Sequence, residues 1–155
     1  MFSYIYGHHD IVAGFVAQLI PTVRERGFGN CTAIGVVDAH SLVAGIVYHN
    51  WEPDAAVIEM SVAALPGVPW LSRETIWRMY DYPFRQLGCQ MVVNRIDARN
   101  ERLLSQCERL GYELIWFPRM LGRDLDGVIG RLTSEAWDAN KINQRLVAPP
   151  LEEAA

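Results

Sequence analysis

Apolar positions recur along the chain in two periods, and where one period gives way to the other a strand meets a helix. Met1–Tyr6 alternates aromatic and β-branched residues and reads as a short strand. Ile11, Val12, Phe15, Val16, Leu19, Ile20 and Val23 then recur at helical spacing behind Asp10, a good N-cap. Pro21 ends or kinks that helix, and Gly27 and Gly29 mark its exit. Cys31–Asp38 and Leu42–Asn50 are apolar and β-branched on both faces, with turn residues Asp38-Ala39-His40-Ser41 between them. That pattern predicts an antiparallel hairpin in the middle of a sheet. Trp51–Asp54 is the next turn, and Val57–Ala64 is a strand that carries Glu59 among apolar neighbours.

The loop Leu65–Leu71 opens into a helix capped by Ser72, with an apolar stripe of Ile76, Met79, Tyr80, Phe84 and Leu87. Pro83 predicts a kink near Tyr82, and Gly88 ends the helix. Cys89–Ile96 reads as a strand. Asp97 is the expected cap of a helix that runs to Leu110. Leu103, Leu104, Cys107 and Leu110 share one of its faces, and Arg99, Glu101, Arg102, Glu108 and Arg109 lie mostly on the other. Gly111 is its C′ glycine. Tyr112–Phe117 is a strand broken by Pro118, Gly127–Leu132 a last strand, and Thr133 caps a helix bearing Trp137. The strand–helix–strand unit from Val57 to Ile96 favours a right-handed parallel crossover. Placed after an antiparallel hairpin, it predicts a mixed α/β sheet with helices on both faces. Residues 1–146 form one domain in this reading, and Val147–Ala155, with two prolines and two glutamates, reads as a loose tail.

Composition narrows the functional classes. The formal charge is −4 over 155 residues, so no basic footprint points to nucleic acid. Cys31, Cys89 and Cys107 are scattered and contain no C-x-x-C pair, which argues for free thiols in a reducing compartment. No apolar run reaches membrane-spanning length, and MFSYIYGHHD has no basic n-region. A cytoplasmic protein is the expectation. His8-His9-Asp10 lacks metal-ligand spacing and belongs to the cap region of the first helix, so no metal is expected.

The chemistry concentrates around Val57–Glu74. A strand that leads into an exposed helix N-terminus makes an anion site, because free N–H groups and the positive dipole end point the same way. The amides of Leu71, Ser72, Arg73 and Glu74 form such a site, and Arg73 adds charge. Glu59, just upstream, is a candidate general base; its competing roles are a partner for an arginine or a solvated face. His49 ends a strand beside Asn50 and Trp51 and is a candidate substrate or base residue, or a satisfied polar group at a strand end. Trp51 and Trp70 flank the same region as candidate walls of an acceptor pocket, although tryptophans more often pack for their area. Trp77, Trp116 and Trp137 read as core or interface.

Three features stand in order: the Glu59 strand leading into its loop and helix; Asn100 followed about ten residues on by Leu110-Gly111-Tyr112; and Gly122-Arg123-Asp124 with Asp126–Trp137. From Phe2 to Trp137 the chain thereby resembles the GNAT superfamily of N-acetyltransferases. The resemblance implies an acyl-CoA N-acyltransferase fold, acetyl-CoA as co-substrate and an unidentified primary amine as acceptor, with no metal. It implies pantetheine along the backbone of Met60, Ser61, Val62 and Ala63, a main-chain N–H there polarising the thioester carbonyl, and Asn100 facing the cofactor. Cys107 stands where many members carry a tyrosine that protonates the leaving thiolate. Members are often homodimers, and the sequence leaves the oligomeric state open. The loop departs from the family's Q/R-x-x-G-x-G/A: Pro66–Arg73 has one glycine and two prolines. Two other readings stand beside this one, a non-catalytic acyl-CoA-binding or regulatory protein and a protein-interaction module using aromatic surface.

Overall fold

The alternating start of the chain folds as β1 (Ser3–Ile5), and the two apolar runs fold as β2 (Cys31–Asp38) and β3 (Ser41–Glu52). The computed structural model describes residues 1–146; the tail expected over Val147–Ala155 lies outside the described residues. β2 and β3 pair antiparallel about Ala39 and His40, whose φ values are 47° and 69°. Two consecutive left-handed residues are what a two-residue hairpin demands. β4 (Val57–Ala64) pairs antiparallel with β3. The chain then crosses through α2 (Arg73–Asp81) and returns as β5 (Met91–Asp97), parallel to β4. β7 (Leu125–Thr133) enters between β5 and β6 (Glu113–Gly122), so the seven-stranded mixed sheet runs β1-β2-β3-β4-β5-β7-β6.

Helices cover both faces, as the apolar pattern requires. α1 (His9–Leu19) packs on β2, β3 and β4, where Val12 and Val16 meet Ala33 and Val47. Gly45 permits this approach: a Cβ there would lie 2.5 Å from Val16 and 2.8 Å from Val12. α2, α3 (Glu101–Leu110) and α4 (Ser134–Ala139) share the other face, where Met79, Tyr80, Leu104, Cys107 and Trp137 join Ile46, Tyr48, Ile58 and Val128 in the main core. α5 (Lys141–Leu146) follows α4. No described helix is long and apolar enough to cross a membrane.

Three local expectations are corrected, the caps of α1 and α3 and the end of β6. α1 begins at His9 with His8 at its cap position and no side-chain cap; Asp10 sits in its first turn, where it still favours the dipole. α3 is capped by Asn100, whose Oδ1 accepts from the Leu103 N–H at 3.2 Å. Asp97 instead accepts from the Arg99 N–H and guanidinium, both at 2.9 Å. At Pro83, where a kink is expected, Tyr82–Gln86 forms a π-helical turn that continues α2 and does not end it, closed by Leu87 N–H to Tyr82 C=O at 3.0 Å. Nor does Pro118 end β6, an edge strand in which proline is tolerated; pairing is irregular between Phe117 and Gly122, with Arg119 at φ 58°. Trp116, read as core or interface, is 53% exposed and so lies outside the core.

Candidate functional site

β4 and β5 pair only over Val57–Glu59 and Met91–Val93, and then part. β4 stays paired with β3 as far as Ala64, so its other edge is open from Met60 onward. The Leu65 N–H bond to the Val43 carbonyl, 2.8 Å, fixes which residues face that edge. Hydrogen-bonded and non-bonded pairs alternate along an antiparallel ladder. Ser61 and Ala63 therefore spend their main-chain groups on β3, whereas Met60, Val62 and Ala64 direct theirs into the gap. Asn94 closes the narrow end: with its amide oriented to satisfy its neighbours, its nitrogen donates to the carbonyls of Met60 (3.2 Å) and Val93 (3.0 Å), and its oxygen accepts from the Tyr112 hydroxyl (3.1 Å).

Two cavities meet along this gap and share Val62 and Leu103. One, of about 330 Å³, lies on the α1 face beside Glu59 and Ser61 and is walled by the segment after α1 and the tip of the β6–β7 hairpin. The other, of about 420 Å³, follows Val62–Leu71 to Asn100, Arg102 and Gln106 on α3.

Glu59, 9% exposed, sits where β4 is about to lose its neighbour. Its Oε1 accepts from Asn50 Nδ2 at 2.9 Å and lies 3.8 Å from Arg95 Nε; its Oε2 lies 3.6 Å from His49 Nε2. Asn50 follows His49 directly and would ordinarily point to the opposite face. The break in the β3–β4 register between His49 and Glu52, with Asn50 at φ 49°, turns it back toward Glu59. His49 is 5% exposed, packs against the Phe28 ring at 4.8 Å and places Nε2 2.9 Å from Ser61 Oγ. Burial pushes the imidazole below its ordinary range; the Glu59 charge opposes this, and Arg26 and Arg95 reinforce it. The ring is held neutral, behind Glu59 and Ser61 rather than on the cavity wall.

Solved structures of other proteins share this architecture. Mutant forms of the spermidine/spermine N-acetyltransferase SpeG from Vibrio cholerae superpose with TM-score 0.71 at 13% identity, over 88% of this chain and 97% of that one. SpeG in complex with manganese ions gives 0.68 at 14%, over 85% and 92%. A structure assigned as an acetyltransferase from T. thermophilus gives 0.64 at 21%, over 76% of this chain and 65% of that one. The chain has the GNAT acetyltransferase fold. No family model and no curated protein matches it.

Within the GNAT fold the expected site residues divide. Glu59, Met60, Ser61 and Val62 line the first cavity, and Val62, Ala63, Trp70, Leu71 and Asn100 line the second. Ser72 caps α2 through its hydroxyl (Thr75 N–H, 3.1 Å), and its amide is spent on the Trp70 carbonyl at 2.9 Å. It is therefore not a free donor. The amides of Leu71, Arg73 and Glu74 have no hydrogen-bond partner among the described residues. The lining stops at Leu71, and Arg73 and Glu74 are exposed just past it. Trp51 and Trp70 wall different hollows: Trp51, with Asn50, Glu59 and Arg95, borders a third one of about 400 Å³. Cys107 lies in the core, 2% exposed, and lines neither cavity of the gap; burial lifts its thiol to about 11. Asn100 serves as a helix cap and lines the second cavity.

Sequence reasoning missed Asn94, Arg102 and the arginines Arg26, Arg95 and Arg99, the last three of which border the first cavity. A period-2 reading of Val93, Arg95 and Asp97 was the available signal for one of them; Arg102 and Gln106, one turn apart on α3, were another.

Proposed function

We propose that the protein transfers an acetyl group from acetyl-CoA to a primary amine. One observation carries this reading: β4 keeps one edge paired while the main-chain groups of Val62 and Ala64 open onto a gap bordered by two cavities that share Val62 and Leu103. A pantetheine arm is a peptide-like chain, and an open strand edge supplies the donors and acceptors it needs. The free amides of Leu71, Arg73 and Glu74 at the start of α2, with Arg102 across the cavity, suit a pyrophosphate.

The amine enters the first cavity and gives a proton to Glu59, directly or through a water. The freed lone pair forms the C–N bond at the thioester carbonyl as the C–S bond breaks. The Val62 N–H faces the gap and is our choice of donor to the developing oxyanion. The nitrogen sheds its second proton to solvent as the tetrahedral adduct collapses, and the departing thiolate takes a proton from solvent, since Cys107 lies in the core. Holding amine and thioester together supplies much of the acceleration, with no covalent enzyme intermediate. Asn50 orients the Glu59 carboxylate through its 2.9 Å hydrogen bond, and His49 packs behind it. The three cysteines are free, the state a reducing compartment maintains, and we assign the protein to the cytoplasm.

Calorimetry with acetyl-CoA, followed by thiol release over an amine panel, tests the proposal. Micromolar binding and turnover that falls at least about 100-fold in Glu59→Gln is expected. Binding without turnover on any amine points to an acyl-CoA sensor, and no binding at all points to an interaction module; either result overturns the proposal.

A further inference from the structure

The walls of the first cavity carry charges of both signs. Three guanidiniums, Arg26, Arg95 and Arg99, border it against two carboxylates, Glu59 and Asp97. Asp97 is consumed by Arg99, which grips it through two hydrogen bonds. Arg26 has no carboxylate within 4.0 Å among the described residues, and its Nε is turned to the Thr22 carbonyl at 3.5 Å. Arg95 approaches Glu59 only through Nε at 3.8 Å, too long for a hydrogen bond, and its terminal nitrogens have no partner among the described residues. Glu59 and Arg95 thus form a loose pair of opposite charges on adjacent strands, facing one cavity. Apart from Thr22 and Ser61 the rest of the wall is apolar, with Ile20, Val23, Met120, Leu121 and Leu125 among its residues.

A zwitterion fits this arrangement and a polycation does not. An α-amino acid would set its ammonium on Glu59, its carboxylate on the free fork of Arg95 with Arg26 nearby, and its side chain on the apolar wall. The cavity, about 330 Å³, is at the small end of small-molecule sites, which favours a free amino acid over a folded protein surface. Resting on the proposed transferase reading, we propose that the acceptor is an α-amino acid with an apolar side chain, recognised through its carboxylate by Arg95 and Arg26.

The test uses matched pairs on the full chain: leucine against 3-methylbutylamine, phenylalanine against phenethylamine, with spermidine as the polycation. Thiol release from acetyl-CoA gives kcat/KM for each, and calorimetry with acetyl-CoA alone is run beside it. The expected result is a preference for the amino acid of roughly 10- to 100-fold, the range of a charge-assisted contact. In Arg95→Gln that preference, read as the ratio of kcat/KM within each matched pair, should fall at least about fivefold. Arg26→Gln should give a smaller loss of the same kind, and acetyl-CoA affinity should be unchanged in both. Equal or better turnover of the decarboxylated amines or spermidine overturns the inference and leaves the transferase reading standing. So does a preference that survives in both variants, whereas acetyl-CoA binding with no turnover of any amine overturns the transferase reading. Absence of acetyl-CoA binding overturns the transferase reading itself.

Discussion

Asn94 reaches across the line where β4 and β5 separate, its amide nitrogen 3.2 Å from the carbonyl of Met60. The two strands stop pairing at Glu59 and Val93, so this side chain stands in for the ladder bond that the next residues would have made. It also anchors the Tyr112 hydroxyl, which is paired in turn with Tyr80 at 2.8 Å. Asn94→Leu removes the bridge and leaves buried polar groups unpaired. It should cost about 1–3 kcal/mol in urea unfolding and raise the KM for acetyl-CoA. An Asn94→Leu protein as stable as the parent contradicts this role for the wedge.

His49 makes stability depend on pH. Its folded-state pKa lies below the ordinary value of 6.5, first because it is buried, so the unfolded chain binds the proton more tightly. Stability is therefore full above that ordinary value and declines as the pH falls through the window below it. Protonation also places a third cation beside Arg26 and Arg95, with only Glu59 to offset it. The urea midpoint should drop between about pH 7.5 and pH 5.5, and His49→Asn should lose less over that interval. An identical drop in the variant would assign the effect to other groups.

Cys107 separates a packing role from a catalytic one. With the thiol near 11 and 2% exposed, the side chain stays protonated and shielded at neutral pH. Cys107→Ala should cost about 1–2 kcal/mol of stability and leave kcat within about twofold. A tenfold fall in kcat in a well-folded variant would restore it as the acid toward the leaving thiolate.

Arg102 and Arg73 make a controlled comparison. Arg102 lines the second cavity, and Arg73 lies just beyond its edge. Arg102→Gln should weaken acetyl-CoA binding about fivefold, and Arg73→Gln by less, with the gap narrowing in salt because both charges are exposed. The opposite ranking by calorimetry would move the pyrophosphate toward α2.

What the sequence shows and what it hides divide along local and non-local causes. β4, the Ser72 and Thr133 caps, the hairpin turn at Ala39-His40 and the left-handed Gly111 are set by neighbours in the chain, and local pattern finds them. Asp97 and Asn100 are both good cap residues three positions apart. The choice of Asn100 depends on β5 running one residue further and on Arg99 claiming Asp97. The proline at 83 marks the irregularity near Tyr82, and the π turn by which the helix absorbs it is not legible in the local pattern. The parting of β4 from β5 has no local signal, because it depends on how α2 returns the chain. Which of Met60–Ala63 face the gap follows from the β3 register. His49 and Ser61, twelve residues apart, meet only through that same pairing. The cations of the first cavity come from the segment after α1, from β5 and from the turn before α3, so composition gives no hint that they share a wall.

A crystal structure with coenzyme A tests the central claim most directly. The account predicts the pantetheine lying beside Val62 and Ala64 in the β4–β5 gap, with the diphosphate on the amides of Leu71, Arg73 and Glu74 and its thiol toward Glu59. Coenzyme A bound anywhere else, or β4 and β5 zipped together past Glu59 and Val93, contradicts it.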